Sequence, residues 1–224
     1  MISVPMKEFF DPILLSLKVS LIASILVFIV AVLIARFMSR ASFRGKTLLE
    51  TLFMLPLVLP PTVVGFILLV IFGRKSWVGR SIEWLFGQPL VFTWYAAVIA
   101  SVIVSFPLIY QTVKVGFQSI DRAIEDAGRS YGANEWQVFR WITLPLAFPS
   151  LISGFILGFA RGLGEFGATL MLAGNIPGKT QTLPTAIYLA VDSGNNVLAW
   201  LWSICIILIS FLMLMVANRK ITNL

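Results

Sequence analysis

The stretch Ile120–Pro149 reads IDRAIEDAGRSYGANEWQVFRWITLPLAFP and is a charged island roughly midway along a very apolar chain. Ile120, Ile124, Ala127 and Tyr131 recur at helical spacing, and charged side chains occupy the positions between them. This pattern predicts a short amphipathic helix that is too polar to enter lipid.

A second short helix is predicted directly after the first. Gly132 provides the stop, because glycine can adopt the left-handed conformation that closes a helix. Asn134 can cap the next helix, with Gln137 three residues later in capping-box spacing. The second helix is expected to end before Pro145 and to carry Trp136, Phe139 and Ile142. Such a pair indicates a docking element, and the alternative is an ordinary loop with helical content between two membrane spans.

The composition excludes a soluble domain and several kinds of active site. Of the 224 residues, 58% are hydrophobic and 12% charged, and the mean hydropathy is +0.94; soluble proteins carry about 25% charged residues. The net charge of +7 comes from Lys and Arg that lie between long apolar runs, which is typical of membrane topology and not of a nucleic-acid-binding face. With no His and a single Cys, Cys205, the chain lacks His-based catalysis, Cys–His nucleophiles and the usual zinc sites.

Five stretches are apolar and long enough to cross a bilayer, which takes about 20 residues. They are residues 13–35, 51–72, 91–113, 146–173 and 197–218. Segment 183–191 is too short to span, so we expect a helix that lies at one membrane face or dips partway in; a sixth span there would have to include Asp192 and a polar turn. Residues 1–224 are therefore expected to form one all-α integral membrane domain, with a polar loop at 120–145.

The basic residues predict the orientation of the chain, since cytoplasmic loops are enriched in Lys and Arg. If the polar island is cytoplasmic, ten Lys/Arg lie on that side and six outside. The ten are Arg36, Arg40, Arg44, Lys46, Lys114, Arg122, Arg129, Arg140, Arg219 and Lys220. The six are Lys7, Lys18, Arg74, Lys75, Arg80 and Lys179. The N-terminus is then outside and the C-terminus cytoplasmic.

Prolines in the second and third spans predict kinks, because proline removes helix hydrogen bonds that neighbouring groups in a membrane bundle can replace. They are Pro56, Pro60, Pro61 and Pro107. The bend either shapes or gates a pathway, or it is a static kink that helps packing, and we favour the static kink.

The fourth predicted span alone contains intramembrane charges, Arg161 and Glu165, four residues apart and thus neighbours on a helix. A charge at mid-membrane depth costs roughly 2.5–3.5 kcal/mol, so neither side chain is expected to face lipid. The pair, with Gly162 and Gly164 beside it, either contributes to the path of an anion or clamps a glycine-rich helix face. We favour the clamp, because Glu165 would repel an anion. Gly154, Gly158 and Gly162 are predicted to let another helix approach closely.

The polar island resembles the EAA signature of permease subunits of type I ABC importers, which reads Glu-Ala-Ala, three residues, Gly, nine residues, Ile-x-Leu-Pro. Here Asp126 stands for the Glu, Gly128 for the second Ala, and Glu125 directly precedes them; Ala127, Gly132, Ile142 and Pro145 match. In that family the loop is the coupling helix that sits in a cleft of the cytoplasmic ATPase.

Further motifs spread over nearly the whole chain look like the molybdate/sulfate permease family, and are most similar to its molybdate branch. They are LPLVLPP (55–61), VSFPL (104–108), ITLPL (142–146), FARGLGEFGAT (159–169) and GNIPGKTQTLPTAIY (174–188). The resemblance implies a homodimer in the cytoplasmic membrane of a prokaryote, two ATPase subunits carrying ATP-Mg and an extracytoplasmic oxyanion-binding protein. This chain has no GxxxxGK[ST] pattern, so it is not expected to bind ATP or to be an enzyme.

Three other functions stay open from the residues alone. A sulfate or tungstate permease would share the same architecture. An ion-coupled secondary carrier would need intramembrane ionisable relays or inverted repeats, and only Arg161 and Glu165 are available. An integral-membrane enzyme is disfavoured, because the chain lacks His and paired carboxylates on a polar face.

Overall fold

Long apolar helices joined by short turns make up the chain. The computed structural model describes residues 6–222, and side chains within residues 6–215. Every regular element in that range is helical. The α-helices are α1 Met6–Arg40, α2 Lys46–Val58, α3 Pro61–Phe72, α4 Trp77–Phe86, α5 Trp94–Gln118, α6 Arg122–Ser130, α7 Glu135–Val138, α8 Leu144–Leu163, α9 Gly167–Ala173, α10 Leu183–Asp192 and α11 Asn196–Thr222, and a π-helical turn, Phe139–Thr143, joins α7 to α8.

Helices α1, α5 and α8 pack against one another at the centre of the molecule. The buried face of α1 carries small residues four apart, among them Ala23, Ala31 and Ala35, while large apolar side chains such as Leu14 and Leu33 point outward. Small residues let membrane helices approach closely, and exposed leucines suit lipid. The prediction of an all-α membrane fold is confirmed, with four continuous candidate spans and one broken one in the described range.

The glycines of α8 lie against α5. A Cβ on Gly154 would lie 3.0 Å from Val113 Cγ2, one on Gly158 would collide with Ile109, and one on Gly162 would lie 3.6 Å from Ser105 Oγ. The prediction that this glycine face lets another helix approach closely is confirmed, and that helix is α5.

The second predicted span is broken, not merely kinked. Helices α2 and α3 meet at an angle of 111° across Leu59 and Pro60, so the prediction of a single helix over 51–72 was wrong. Leu59 is extended (φ −68°, ψ 143°), since a residue before proline is driven out of the helical region. Pro61 starts α3, where its missing N–H costs nothing. Pro56 and Pro107 lie inside α2 and α5, which continue through them.

The fourth predicted span, 146–173, also differs from the structure. The helix does not stop before Pro145: the π-helical turn carries it from α7 directly into α8, where Pro145 occupies the first turn. Because the helix is continuous here, Pro145 removes one backbone N–H donor from it, directly after the π-helical turn. The helix then breaks at Gly164–Phe166, and α9 begins at Gly167. One expected helix is therefore two.

The two breaks lie next to each other, because α3 packs on α9. A Cβ on Gly65 would lie 2.7 Å from the Ala168 Cα, and one on Gly167 would lie 3.1 Å from the Pro61 Cβ. Backbones approach this closely only where a side chain is missing. The discontinuities of the second and fourth spans thus form one structural unit.

Helices α10 and α4 lie at the end of the bundle opposite the polar loop. Helix α10 covers the segment predicted as too short to span, and Leu183 N–H donates a 2.6 Å hydrogen bond to Ser16 Oγ of α1. Nearby, Trp202 Nε1–H of α11 donates to the Phe9 carbonyl at 3.0 Å. Helix α4 was not predicted, although Ser76 caps it by accepting from Gly79 N–H at 2.8 Å.

Candidate functional site: the α6–α7 helix pair

Helices α6 and α7 form a hairpin beside the end of α1. Asp121 caps α6, its carboxylate accepting from Ala123 N–H at 2.9 Å. Gly132 has φ +86°, and Ala133 N–H donates to the Gly128 carbonyl at 3.2 Å. The predicted left-handed glycine stop is therefore confirmed.

The predicted capping box at the start of α7 is also confirmed. Gln137 N–H donates to Asn134 Oδ1 at 2.9 Å, and Asn134 N–H donates to Gln137 Oε1 at 2.8 Å. Two backbone donors that a helix start leaves without partners are satisfied reciprocally. This fixes the direction in which the chain leaves Gly132.

Arg129 connects the two helices of the hairpin. Its guanidinium donates to Asp126 Oδ1 at 2.5 Å, and to Glu135 Oε1 and Oε2 at 2.6 and 3.1 Å. The hydrogen bonds to Glu135 and then to Asp126 raise the pKa of Arg129 above its usual range. All three side chains are at the surface, so the contact fixes geometry more than it adds stability.

Glu125 is a buried charged anchor of the hairpin. Only 2% of this residue is exposed, and it accepts a 2.7 Å hydrogen bond from Thr143 Oγ1 of the π-helical turn. Arg40 Nη2 of α1 lies 2.7 Å from Glu125 Oε2, and Arg36 Nη2 lies 3.7 Å from Oε1. By contrast, Asp126, which the signature match puts at the key carboxylate, has 67% of its side chain exposed. The spacing of the signature did not reveal that Glu125, and not Asp126, makes the contacts with α1 and the π-helical turn.

The apolar residues predicted along α6 face outward instead of into the bundle. Ile124, Ala127 and Tyr131 are exposed, Tyr131 to 94%, while Ile120 just before α6 is buried. We call the outward surface of Ile124, Tyr131 and Trp136 the tip. A protein surface with a cluster of exposed large apolar side chains commonly marks an interaction site.

The remaining residues of the signature lie behind or beside the tip. Ile142 packs on Gly128, where an added Cβ would lie 2.5 Å from Ile142 Cδ1, so a glycine suits this position. The Phe139 ring is half-buried, and its centre lies 5.7 Å from the guanidinium carbon of Arg36. The Trp136 ring is tilted against the Phe139 ring, with the two ring centres 5.8 Å apart. Pro145 is exposed at the start of α8.

The intramembrane pair is formed, but far along α8 from the hairpin. Arg161 Nη1 lies 2.8 Å from Glu165 Oε2, and Glu165 Oε1 accepts from Ala168 N–H at 2.8 Å. Glu165 therefore also caps α9, which sequence reasoning missed. Gly162 is buried against α5, and Gly164 is exposed at the break between α8 and α9. These contacts favour the clamp over a role in an anion path.

Sequence reasoning also missed a second ion pair. Lys114 Nζ of α5 lies 2.7 Å from Glu50 Oε1 of α2, and Lys114 is only 9% exposed. The sequence carries a signal for it, since Glu50 directly precedes one predicted span and Lys114 directly follows the next. Antiparallel spans bring these two ends to the same membrane side.

No metal site is formed in the described range, where no three His, Cys, Asp or Glu side chains are grouped to hold an ion. Arg219 and Lys220, which were counted above to predict the orientation, lie beyond residues 6–215, the range in which the structure describes side chains.

Residues 27–219 match the family described as the inner membrane component of binding-protein-dependent transport systems. The chain is 62% identical over 221 residues to the putative molybdenum transport system permease protein YvgM of Bacillus subtilis, covering 99% of this chain and 97% of that protein. It is 43% identical over 184 residues to the molybdenum transport system permease protein ModB of Escherichia coli K12, covering 82% and 80%. A probable sulfate transport system permease protein of Chlorella vulgaris is 32% identical over 218 residues, covering 95% and 82%.

Two solved structures share the fold at 16% identity. One is a bacterial ABC transporter that imports the acidic polysaccharide alginate, with a TM-score of 0.77, covering 97% of this chain and 80% of that chain. The other is the MetNI methionine ABC transporter in an inward-facing conformation, with a TM-score of 0.75, covering 100% and 99%.

Proposed function

This chain belongs to the family of inner membrane components of binding-protein-dependent transport systems, and from that premise we propose that it is the permease subunit of an ATP-driven molybdate importer. Molybdate is proposed as the substrate because the chain is 62% identical to a molybdenum permease protein over 99% of its length. In this proposal the chain is a multi-pass protein of the cytoplasmic membrane, with its N-terminus outside and its C-terminus inside.

The hairpin α6–α7 is the coupling element in this proposal. Its tip presents Tyr131 and Trp136 to the partner ATPase, which binds ATP-Mg, and large aromatic side chains are the usual anchors of such interfaces. On its other side Glu125 is held by Arg40 of α1 and by Thr143. A movement imposed on the tip would therefore reach α1 and α8 directly.

Transport proceeds by alternating access in a homodimer that works with two ATPase subunits and an extracytoplasmic oxyanion-binding protein. ATP binding draws the ATPases together, the hairpins transmit the motion, and the bundle opens outward to receive the anion; hydrolysis resets it. The second and fourth predicted spans are each interrupted, and the helices that follow the breaks, α3 and α9, pack on each other. These two helices are the parts of the bundle best suited to move. The Arg161–Glu165 pair holds the end of α8 and the start of α9.

A sulfate importer is the second candidate, favoured by the sulfate permease relative that matches over 95% of this chain. The two oxyanions have the same shape and charge, and the delivery protein reads the difference. The identity of 32% with that relative, against 62% with the molybdenum permease protein, favours molybdate.

The function is tested by uptake into proteoliposomes that hold the chain with its ATPase and binding-protein partners. We expect labelled molybdate to accumulate only when ATP is present on the ATPase side. Excess tungstate should reduce this accumulation more than excess sulfate does. Uptake driven by an ion gradient without ATP would contradict the proposal and favour a secondary carrier. Preferential inhibition by sulfate would favour the sulfate importer.

A further inference from the structure

A cavity of about 610 Å³ lies between the end of α1 and the α6–α7 hairpin. Four guanidinium groups line it, from Arg36, Arg40, Arg122 and Arg129, against three carboxylates. The cavity is therefore cationic, and it opens toward solvent on the same membrane side as the hairpin.

The carboxylates are already engaged by arginines. Arg129 holds both Asp126 and Glu135 at 2.5–3.1 Å. The third carboxylate, Glu125, is shared between Arg40 at 2.7 Å and Arg36 at 3.7 Å. Two cations thus share one anion at the inner end of the cavity, which leaves an excess of positive charge there.

Two guanidinium nitrogens at this inner end have no hydrogen-bond acceptor among the described residues. Arg36 Nη1 and Arg40 Nε are shielded from solvent, and within the part of the chain that the structure describes neither finds a hydrogen-bond partner. A buried donor left without an acceptor is destabilising, and more so when it is charged. A guanidinium presents its donors in a fixed fork that matches a phosphate-like oxyanion.

The depth of the two arginines agrees with such a ligand. The apolar run of α1 ends at Ala35, so Arg36 and Arg40 begin the polar end of this helix, where a membrane-spanning helix is expected to meet the lipid headgroups. Basic pockets between helices at this depth are suited to lipid phosphates.

We propose that Arg36 and Arg40, covered by the α6–α7 hairpin, form a binding site for a phosphate-like tetrahedral oxyanion. The ligand is supplied either by an anionic phospholipid headgroup or by a soluble oxyanion. Once bound, the oxyanion accepts hydrogen bonds from Arg36 Nη1 and Arg40 Nε, and it adds a charged link between α1 and the hairpin. The site goes beyond the proposed function, and only its placement on the cytoplasmic side rests on that function.

The test uses the purified full-length chain in nanodiscs and the variant Arg36→Gln. This arginine has the longer contact to Glu125, so the variant leaves Glu125 with Arg40 and Thr143 and should keep the fold. Arg44→Gln is the matched control, because it removes the same charge from an exposed position near the end of α1 that does not line the cavity. Arg36→Lys keeps the charge but loses the forked donors.

Two arms distinguish the sources of the ligand. In discs that contain phosphatidylglycerol and cardiolipin, native mass spectrometry measures the anionic lipid retained by each variant. In discs of phosphatidylcholine alone, inorganic phosphate and then molybdate are titrated while thermal unfolding is followed. In the arm that reports the true source, Arg36→Gln should weaken binding by about tenfold or more, because a charge-assisted hydrogen bond contributes about 1.5–3 kcal/mol. Arg36→Lys should fall between it and the wild type, and Arg44→Gln should match the wild type.

Equal binding by wild type and Arg36→Gln in both arms would overturn the site, as would an equal loss in Arg44→Gln. The same titrations on the chain assembled with its ATPase should retain the dependence on Arg36. Its disappearance there would mean that a partner carboxylate fills the cavity, which also overturns the proposal. Neither arm on the isolated chain involves transport, so a failure of the molybdate function leaves the result interpretable.

Discussion

At the residue scale, the buried charges of this chain are held in place by specific partners. Glu165 is almost completely buried and meets both Arg161 and the first turn of α9, while 27% of the Arg161 side chain remains exposed. This difference in exposure matters for stability, because a buried carboxylate that has lost its partner is far more destabilising than an arginine that can reach water.

We therefore predict that Arg161→Gln destabilises the chain more than the double variant Arg161→Gln, Glu165→Gln. The single variant leaves an unpaired buried carboxylate at a cost of about 3–5 kcal/mol. In the double variant, the amide oxygen that replaces the Glu165 carboxylate can still accept from Ala168 N–H, so most of the loss should be recovered. Thermal unfolding of the purified variants in detergent measures this, and a double variant at least as unstable as the single one would rule out the clamp.

Gly132 offers a second residue-scale prediction, because its need for glycine is conformational. With φ +86° and no atom within 4 Å of an added Cβ, Gly132→Ala strains only the backbone, by about 1–2 kcal/mol. Gly87→Ala is a matched control, since Gly87 also has a positive φ (+69°) in open space but follows α4. We expect ATP-driven uptake to fall in Gly132→Ala and to persist in Gly87→Ala, with both chains inserted normally. Equal uptake by the two variants would mean that the angle between α6 and α7 is unimportant.

At the element scale, a buried charged contact ties the hairpin to the bundle. Glu125 connects α6 to α1 and to the π-helical turn that continues into α8. The neighbouring carboxylate, Asp126, pairs with the exposed Arg129.

Glu125→Gln should consequently uncouple the hairpin, whereas Asp126→Asn should have a small effect. The first change weakens a charged tie that contributes about 1.5–3 kcal/mol, so the ratio of anion transported to ATP hydrolysed should fall by about tenfold or more. The second removes a surface contact of about 0–1 kcal/mol. Measurement of both rates on the same proteoliposomes provides the ratio. The opposite ranking would show that the residue in the signature position, not its buried neighbour, is the essential carboxylate.

At the scale of the whole molecule, the sequence predicted the helical membrane class, the polar hairpin and its caps, because these depend on local patterns. Gly132, Asn134 and Gln137 act through neighbours a few residues away, so their roles are visible in the sequence. The prolines signal an interruption near Pro60, but the 111° angle between α2 and α3 and the packing of α3 on α9 are tertiary features, which periodicity does not encode. Glu165 acts on Ala168 only three residues away, but the continuous apolar run around it hid the break at which α9 begins. The outward direction of Ile124 and Tyr131 does not follow from the apolar stripe by itself, because such a stripe indicates that a face will be covered, not whether its own chain covers it.

In the proposed mechanism, the tip of the hairpin receives the motion of the ATPase. The most direct measurement is ATP-driven molybdate uptake by the assembled transporter carrying Tyr131→Ala and Trp136→Ala together, with Trp84→Ala as the control. Trp84 is a similarly exposed aromatic residue, but it lies on α4, away from the hairpin. We predict that the tip variant inserts normally and loses uptake by at least about tenfold, since interface anchors of this type contribute about 2 kcal/mol or more each, while the control retains uptake. Wild-type uptake by the tip variant, or an equal loss in Trp84→Ala, would contradict the account.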